Sequence, residues 1–119
     1  MTNTNQIVGR FGERLAVRHL IARGLVPLDR NWRCPSGEID VVARDGPVLV
    51  FVEVKTRRGA KFGAPAEAVS ADKARRVRRL AARWLATHGA DDRRQVRFDV
   101  VAVLLGADTV GVRHLRGVF

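Results

Sequence analysis

The sequence predicts an α/β protein, with a central mixed β-sheet flanked by helices on both faces and the element order αβββαββ. Three observations predict this class: two β-branched runs divided by Asp45-Gly46-Pro47, an amphipathic stretch over Asp72 to His88, and a nearly all-apolar run over Val48 to Thr56. A strand that is apolar on both faces needs packing partners on both faces. At 119 residues, with no internal repeat or linker, the chain is expected to form a single domain, 1–119.

The first predicted helix covers Val8 to Ala22 and ends before Gly24, because glycine readily adopts the left-handed conformation that closes a helix. On a period of 3.6 residues, Glu13 falls in line with the apolar residues Ala16, Val17 and Leu20. Its carboxylate is therefore expected to point along a packed face.

Three strands are expected next: Leu25 to Trp32, Glu38 to Arg44 and Val48 to Thr56. The Cys34-Pro35-Ser36-Gly37 break separates the first from the second. Two β-branched runs divided by Asp-Gly predict that the second and third strands form an antiparallel hairpin. If Arg44 pairs with Leu49, Asp40 stands opposite Glu53 and Glu38 opposite Lys55, whereas a slip of one residue would reverse the faces.

The second helix, Asp72 to His88, has apolar residues at helical spacing and ends at Gly89. Two more strands, Val96 to Leu105 and Thr109 to Leu115, complete the predicted order. Trp84 lies on the apolar stripe of this helix, so core packing competes with base stacking as its role. For Asp99, a structural salt bridge with an arginine competes with a place in an acidic site.

Composition excludes several classes of protein. The lone Cys34 and the three scattered histidines offer no zinc cluster, and no apolar run is long enough for a membrane span. No secretory signal is evident, so the expected localisation is cytoplasmic, without a membrane partner. The formal net charge of +10 and the surplus of arginine favour a polyanionic partner, with an arginine-rich surface of no specific role as the alternative.

An acid and a lysine interrupt the most β-prone stretch, LVFVEVKTR. Because side chains alternate across a strand, Phe51, Glu53, Lys55 and Arg57 share one face. Carboxylates brought together from Asp40 and Glu53 would repel each other and invite a divalent cation. Lys55 would then orient or deprotonate the attacking water, and Glu13 would support the site from outside. The alternative is an ordinary cross-strand charge ladder.

The segments GERLAVRHL, RNWRCPSGEIDVVARDG and FVEVKTRRGAKFGAPAEAVSADKARRVRRLAARWL, together with RFDVVAV, resemble the YraN family of small, largely uncharacterised bacterial proteins over nearly the whole chain. This resemblance implies a restriction-endonuclease-like fold. The acid, Asp, Glu-x-Lys pattern of that fold matches Glu13, Asp40, Glu53 and Lys55, with a spacing similar to that of archaeal Holliday-junction resolvases. It implies Mg²⁺ or Mn²⁺ held by Asp40 and Glu53, with Lys55 assisting the attack of water.

Basic residues near these positions are candidates for contacts with nucleic acid. They are Arg33 before the turn, Arg57, Arg58 and Lys61 in the loop after the third strand, and Lys73 and Arg76 on the second helix, on the side away from its apolar stripe. The alternative for the helix is a solvated face whose long side chains cover apolar surface.

The predicted function is divalent-metal-dependent hydrolysis of a phosphodiester in DNA, on a branched, duplex or single-stranded substrate. One alternative is a non-catalytic nucleic-acid-binding protein that retains the fold, and another is a module that docks on an acidic protein. A junction-cutting enzyme needs two sites, so a homodimer is a further expectation, with the final VGVRHLRGVF as a candidate interface.

Overall fold

The computed structural model describes residues 4–59, 70–89 and 95–118. Its elements follow the predicted order: α1 (Thr4–Ala22), β1 (Val26–Cys34), β2 (Gly37–Asp45), β3 (Val48–Arg58), α2 (Ala71–Thr87), β4 (Val96–Leu105) and β5 (Val110–Leu115). The predicted α/β class and element order are confirmed. Neither helix in the described part of the chain is long and apolar enough to cross a membrane.

The five strands form one mixed sheet in the order β1-β2-β3-β4-β5, with β3 at its centre. Neighbouring strands run antiparallel except β3 and β4, which are parallel and are connected through α2. Arg44 pairs with Leu49, so the predicted hairpin register of β2 and β3 is confirmed. Gly46 adopts a φ of 58° in the turn, and Pro47, next to it, does not disturb the register.

Each face of the sheet carries its own hydrophobic core. On one face α1 packs Ala16, Val17 and Leu20 against valines of β2, β3 and β4. On the other face α2 packs Leu80, Ala81 and Trp84 against a set that includes Phe51 of β3. Trp84 is therefore a core residue, as its position on the apolar stripe predicts. The central strand β3 contributes to both cores, which explains its nearly continuous apolar sequence.

Single residues determine where α1 ends and where α2 begins. Gly24, with a φ of 89°, follows the last turn of α1, where Leu25 donates its backbone N–H to the carbonyl of Leu20 at 3.0 Å. Ser70 caps the start of α2 by accepting a hydrogen bond from the backbone N–H of Lys73 at 3.1 Å. The glycine thus closes the end of α1, and the serine fixes the start of α2.

Asp99 on β4 is fully buried and is the centre of a polar network. Arg97 donates to both of its carboxylate oxygens at 2.9 Å, and the backbone N–H of Gly117 donates at 3.0 Å. His114 Nε2 lies 2.7 Å from Oδ2. Burial acts to raise the pKa of Asp99, but these hydrogen bonds outweigh it and hold that pKa below its usual value. The predicted salt bridge with an arginine is confirmed.

Three predicted boundaries need correction. The first helix begins earlier than predicted, at Thr4, and β1 extends to Cys34 because it pairs with β2 up to Gly37. Strand β3 continues to Arg58, since its last residues pair with β4. Arg57 and Arg58 therefore lie on this strand and not in the following loop.

Candidate active site

Asp40 lies where the regular pairing between β2 and β3 ends. That pairing runs from Asp45–Val48 to Val41–Val52. Beyond it, Asp40 Oδ2 accepts a hydrogen bond from the backbone N–H of Val54 at 2.8 Å, in place of a main-chain acceptor. Its carboxylate is thereby fixed between the two strands, one residue past their last regular pair.

The surroundings of Asp40 disfavour its charge. Burial is the main cause that raises the pKa of this carboxyl, to about 6, and the negative charges of Glu13, Glu53 and Glu38 raise it further. The hydrogen bond from Val54 acts in the opposite direction but does not compensate. The folded protein therefore holds ionised Asp40 at an energetic cost.

Glu53 is paired with two lysines through a single oxygen. Its Oε1 lies 2.8 Å from Lys73 Nζ and 3.4 Å from Lys55 Nζ. Its second oxygen, Oε2, is buried and has no hydrogen-bond partner among the residues that the structure describes. One oxygen is thus neutralised by ammonium groups while the other is left for a further ligand.

Lys55 shares the face of Glu53, as strand alternation predicts, and its side chain is mostly buried. Burial lowers the pKa of Lys55, and the hydrogen bond and charge of Lys73 lower it further, whereas Glu53 opposes the shift. An amine with a lowered pKa is a better proton acceptor near neutral pH than an ordinary lysine.

A second set of acidic groups approaches Asp40 from the side of α1 and β1. Oxygen atoms of Glu13, Glu38 and Asp40 lie within 4.8 Å of one another. With its amide nitrogen facing these acids, Asn31 donates to Glu13 Oε2 at 2.9 Å and to Glu38 Oε1 at 3.2 Å. Burial is the main cause that raises the pKa of Glu13. Asn31 has a φ of 52°, a left-handed conformation that asparagine adopts more readily than most other non-glycine residues.

The position of Glu13 depends on the glycine before it. A Cβ at Gly12 would lie 1.9 Å from Thr56 Oγ1 of β3, so only glycine permits this approach of α1 to the central strand. Thr56 directly follows Lys55 in the chain. The Gly12–Thr56 contact therefore brings the part of the helix that carries Glu13 next to the lysine end of β3.

Two openings meet at these acids. A cavity of about 280 Å³ lies between the sheet and α2, and its lining includes Glu38, Asp40, Glu53 and Arg76. An open groove of about 550 Å³ lies beside α1, and its lining includes Arg10, Glu13, Asn31, Arg33 and Glu38. Glu38 borders both, whereas Asp40 and Glu53 border the cavity and Glu13 borders the groove.

The structure brings the four predicted site residues together in the predicted register, although the regular β2–β3 pairing ends at Val41–Val52, before Asp40 and Glu53. Asp40 and Glu53 border the same cavity, Lys55 contacts Glu53, and Glu13 approaches Asp40. Glu38 does not stand against Lys55 in the described pairing of β2 and β3. It pairs across to Arg33 of β1, with 3.6 Å between Arg33 Nε and Glu38 Oε2.

The basic candidates separate into three groups. Arg57 and Arg58 are exposed at the end of β3, and the Arg33 side chain is 78% exposed. Arg76 borders the cavity, while Lys61 lies outside the described residues. The prediction that Lys73 lies away from the apolar stripe of α2 is wrong, because Lys73 precedes Val77 by one helical turn and its side chain is only 16% exposed.

Sequence reasoning missed three contributors: Glu38 as a member of the acidic group, Asn31 as its hydrogen-bond donor, and Lys73 as a partner of Glu53. A sequence signal existed for Lys73, since its helical spacing places it in line with Val77, Leu80 and Trp84. No local pattern marks Asn31. Strand alternation places Glu38 near the site, but it predicts Lys55 as its neighbour, whereas the pairing of β1 with β2 brings Glu38 to Asn31.

The residues present fit a hard divalent cation. Glu13, Glu38 and Asp40 offer a group of carboxylate oxygens, the ligands that Mg²⁺ and Mn²⁺ prefer, with no histidine or cysteine in that group among the described residues, and Glu53 borders the same cavity as Asp40. The unpartnered Oε2 of Glu53 and the raised pKa of Asp40 are both expected where a cation would complete the charge balance.

Fold and site together define an α/β protein with a carboxylate-lysine centre at the middle of its sheet. Residues 12–103 match the model of the uncharacterised protein family UPF0102. The chain belongs to this family, the one to which the YraN resemblance points.

Similar proteins include a UPF0102 protein of Beutenbergia cavernae, 61% identical over 93% of this chain and 94% of that protein. A UPF0102 protein of Streptomyces coelicolor is 55% identical over 98% of this chain and 91% of that protein. Among solved structures, Hjc of Archaeoglobus fulgidus, a Holliday junction resolvase, is similar with a TM-score of 0.48 and 21% identity, covering 90% of this chain and 73% of that chain.

Proposed function

We propose that this protein is a divalent-metal-dependent nuclease of the restriction-endonuclease-like fold that hydrolyses phosphodiester bonds in DNA. One observation carries the proposal: Glu53 gives one oxygen to two lysines, keeps a buried and unpartnered second oxygen, and borders the same cavity as Asp40. A carboxylate pair beside a lysine of lowered pKa is the combination that metal-assisted hydrolysis needs.

Each residue has a separate task in this proposal. Asp40 and Glu53 hold Mg²⁺ or Mn²⁺, which when bound supplies Lewis-acid stabilisation of the negative charge on the phosphate. Glu13 and Glu38 support the cation from the α1 side. In its neutral form, Lys55 orients the attacking water and accepts its proton as the water oxygen bonds to phosphorus; the bond between phosphorus and the leaving oxygen breaks, and that oxygen takes a proton from solvent.

Positive charge around the site supports a nucleic-acid substrate. Arg57 and Arg58 continue β3 past Lys55 to an exposed end, Arg76 borders the cavity, and Arg33 borders the groove on the other side. With a formal net charge of +10, the chain would attract a phosphate backbone from a distance. A homodimer and a branched DNA substrate belong to the same proposal, because cutting both strands of a junction requires two sites.

A second function has one observation in its favour. Because Lys55 and Lys73 both neutralise Glu53, part of the acidic site is compensated without any cation. This arrangement suits a protein that binds nucleic acid without cleaving it. Such a protein would bind DNA in a salt-sensitive manner, with an affinity that does not depend on magnesium.

The test compares wild type, Glu53→Gln and the matched surface variant Asp72→Asn, whose carboxylate lies on α2 with a side chain that is 91% exposed. Labelled duplex, single-stranded and four-way-junction DNA are incubated with Mg²⁺, with Mn²⁺ and with chelator. Wild type and Asp72→Asn should cleave only with metal, and Glu53→Gln should be slower by about a hundredfold or more.

Cleavage by Glu53→Gln at the wild-type rate would contradict the proposed site. Absence of cleavage by all three proteins, combined with metal-independent DNA binding, would favour the second function. The substrate that is cut fastest identifies the class of DNA on which the protein acts.

A further inference from the structure

Lys73 makes the closest contact to Glu53 in the candidate active site. Its ammonium lies 2.8 Å from Oε1, against 3.4 Å for Lys55, and both partners are largely withdrawn from solvent, with side chains 16% and 18% exposed. An ion pair shielded to this degree is screened far less than a surface pair. Lys73 is thus a built-in part of the site rather than one of the surface charges of α2.

The first turn of α2 holds Lys73 in place. Ser70 caps the helix and accepts the backbone N–H of Lys73, which fixes where the side chain begins. On the solvent side of the same turn, Asp72 pairs with Arg75. Lys73 and Arg75 are therefore two cations on one turn, one directed into the site and the other into solvent.

Lys73 and a divalent cation would compete for the same negative charge. Both are attracted to Glu53, and two cations near one carboxylate repel each other. Because Lys73 pairs with Oε1, Oε2 would be the oxygen of Glu53 that binds a metal ion. The positive charge of the Lys73 ammonium would repel that ion and weaken its binding. A phosphate group near the site would offer Lys73 a second anion and so relieve this repulsion.

We propose that Lys73 is a positioning residue that orients Glu53 and keeps the affinity of the site for a free divalent cation low until a phosphodiester is bound. This inference rests on the proposed function and concerns its regulation. By linkage, DNA should increase the affinity for metal by the factor by which metal increases the affinity for DNA. Metal loading would then be favoured only where a substrate is present.

The experiment measures Mn²⁺ binding to the full chain by electron paramagnetic resonance of free Mn²⁺, with and without a hydrolysis-resistant phosphorothioate duplex. Lys73→Met removes the charge in the site, Lys73→Arg keeps it, and Arg75→Met removes a charge from the same helical turn outside the site. Lys73→Gln, which keeps a hydrogen-bond donor, replaces Lys73→Met if that variant does not fold.

Lys73→Met should bind Mn²⁺ about tenfold or more tightly than wild type, because one repelling charge is gone. Lys73→Arg and Arg75→Met should stay within about twofold of wild type, since both leave a cation at Glu53. DNA should increase the Mn²⁺ affinity of wild type more than that of Lys73→Met.

Unchanged or weaker Mn²⁺ binding by Lys73→Met, with normal binding by wild type, would overturn the inference and leave the proposed function standing. If none of these proteins binds Mn²⁺, the proposed metal-dependent function fails, and the inference fails with it. The two failures are thus distinguished without any measurement of cleavage.

Discussion

Replacing Asp40 by asparagine should stabilise the metal-free protein at neutral pH. Asp40 has its pKa raised from 3.8 to about 6 by burial and by neighbouring acids. Since each pKa unit corresponds to 1.36 kcal/mol, ionised Asp40 costs the folded state about 3 kcal/mol. Asparagine removes the charge, while its side-chain oxygen can still accept the hydrogen bond from Val54.

The pH dependence of this effect has a defined sign. Between about pH 4 and pH 6 the folded protein holds the Asp40 proton more tightly than the unfolded chain, so wild type loses stability as pH rises through this window. The asparagine side chain of the variant does not titrate. Asp40→Asn should therefore match wild type near pH 4 and exceed it by about 1–3 kcal/mol at pH 7.5, a gain of roughly 4–10 °C in Tm.

Urea denaturation in chelator at pH 4 and pH 7.5 measures the difference directly. Asp72→Asn is the control, because its exposed carboxylate should confer no such pH-dependent gain when neutralised. A variant that is less stable than wild type at pH 7.5, or equally stabilised at both pH values, would refute the claim that the charge of Asp40 is destabilising. A stabilised variant would show that this acid is retained at a cost in stability, as residues of functional sites commonly are.

Two further predictions concern the framework of the site. Gly12→Ala should lower the free energy of unfolding by about 1–3 kcal/mol, because its Cβ would collide with Thr56. Gly9→Ala on the same helix, where a Cβ would meet no atom within 4 Å, should raise the free energy of unfolding by up to about 1 kcal/mol. Equal effects of the two variants in urea denaturation would argue against the close contact at Gly12. Asp99→Asn should cost about 3–5 kcal/mol at pH 7, because Arg97 keeps only Asp45 as an ionic partner within the described residues and the buried polar network around position 99 loses its central charge. Wild type should lose this contribution below about pH 4, as Asp99 is protonated through its lowered pKa, and parallel acid unfolding of both proteins would contradict it.

Local rules were sufficient to predict the central strand of the site. Side chains alternate between the two faces of any strand, so Glu53 and Lys55 of β3 share a face independently of the rest of the fold. The register of β2 against β3 is set by a short turn, so Arg44–Leu49 pairing was also within reach of the sequence. These two facts are enough to bring Asp40 near Glu53.

The rest of the site depends on contacts between distant parts of the chain. Asn31 reaches Glu13 and Glu38 only because β1 pairs with β2 while α1 lies across the sheet. Neither the positive φ of Asn31 nor the direction of its amide follows from its neighbours in sequence. The hydrogen bond of Asp40 to Val54 likewise appears only where the regular pairing stops, a point that alternation cannot locate.

The charge balance of the site explains why one helix carries both core residues and cations. Glu13, Glu38 and Asp40 form a group of three carboxylates, Glu53 borders the same cavity as Asp40, and the ammonium groups of two lysines beside Glu53 offset part of the negative charge. One of these ammonium groups comes from the apolar stripe of α2, so the packing that buries Leu80 and Trp84 also delivers Lys73 to the site. The proposed divalent cation would offset the negative charge that remains after this compensation. If the site binds metal as proposed, the contact between Lys73 of α2 and Glu53 of β3 would influence both the stability of the metal-free protein and its affinity for metal.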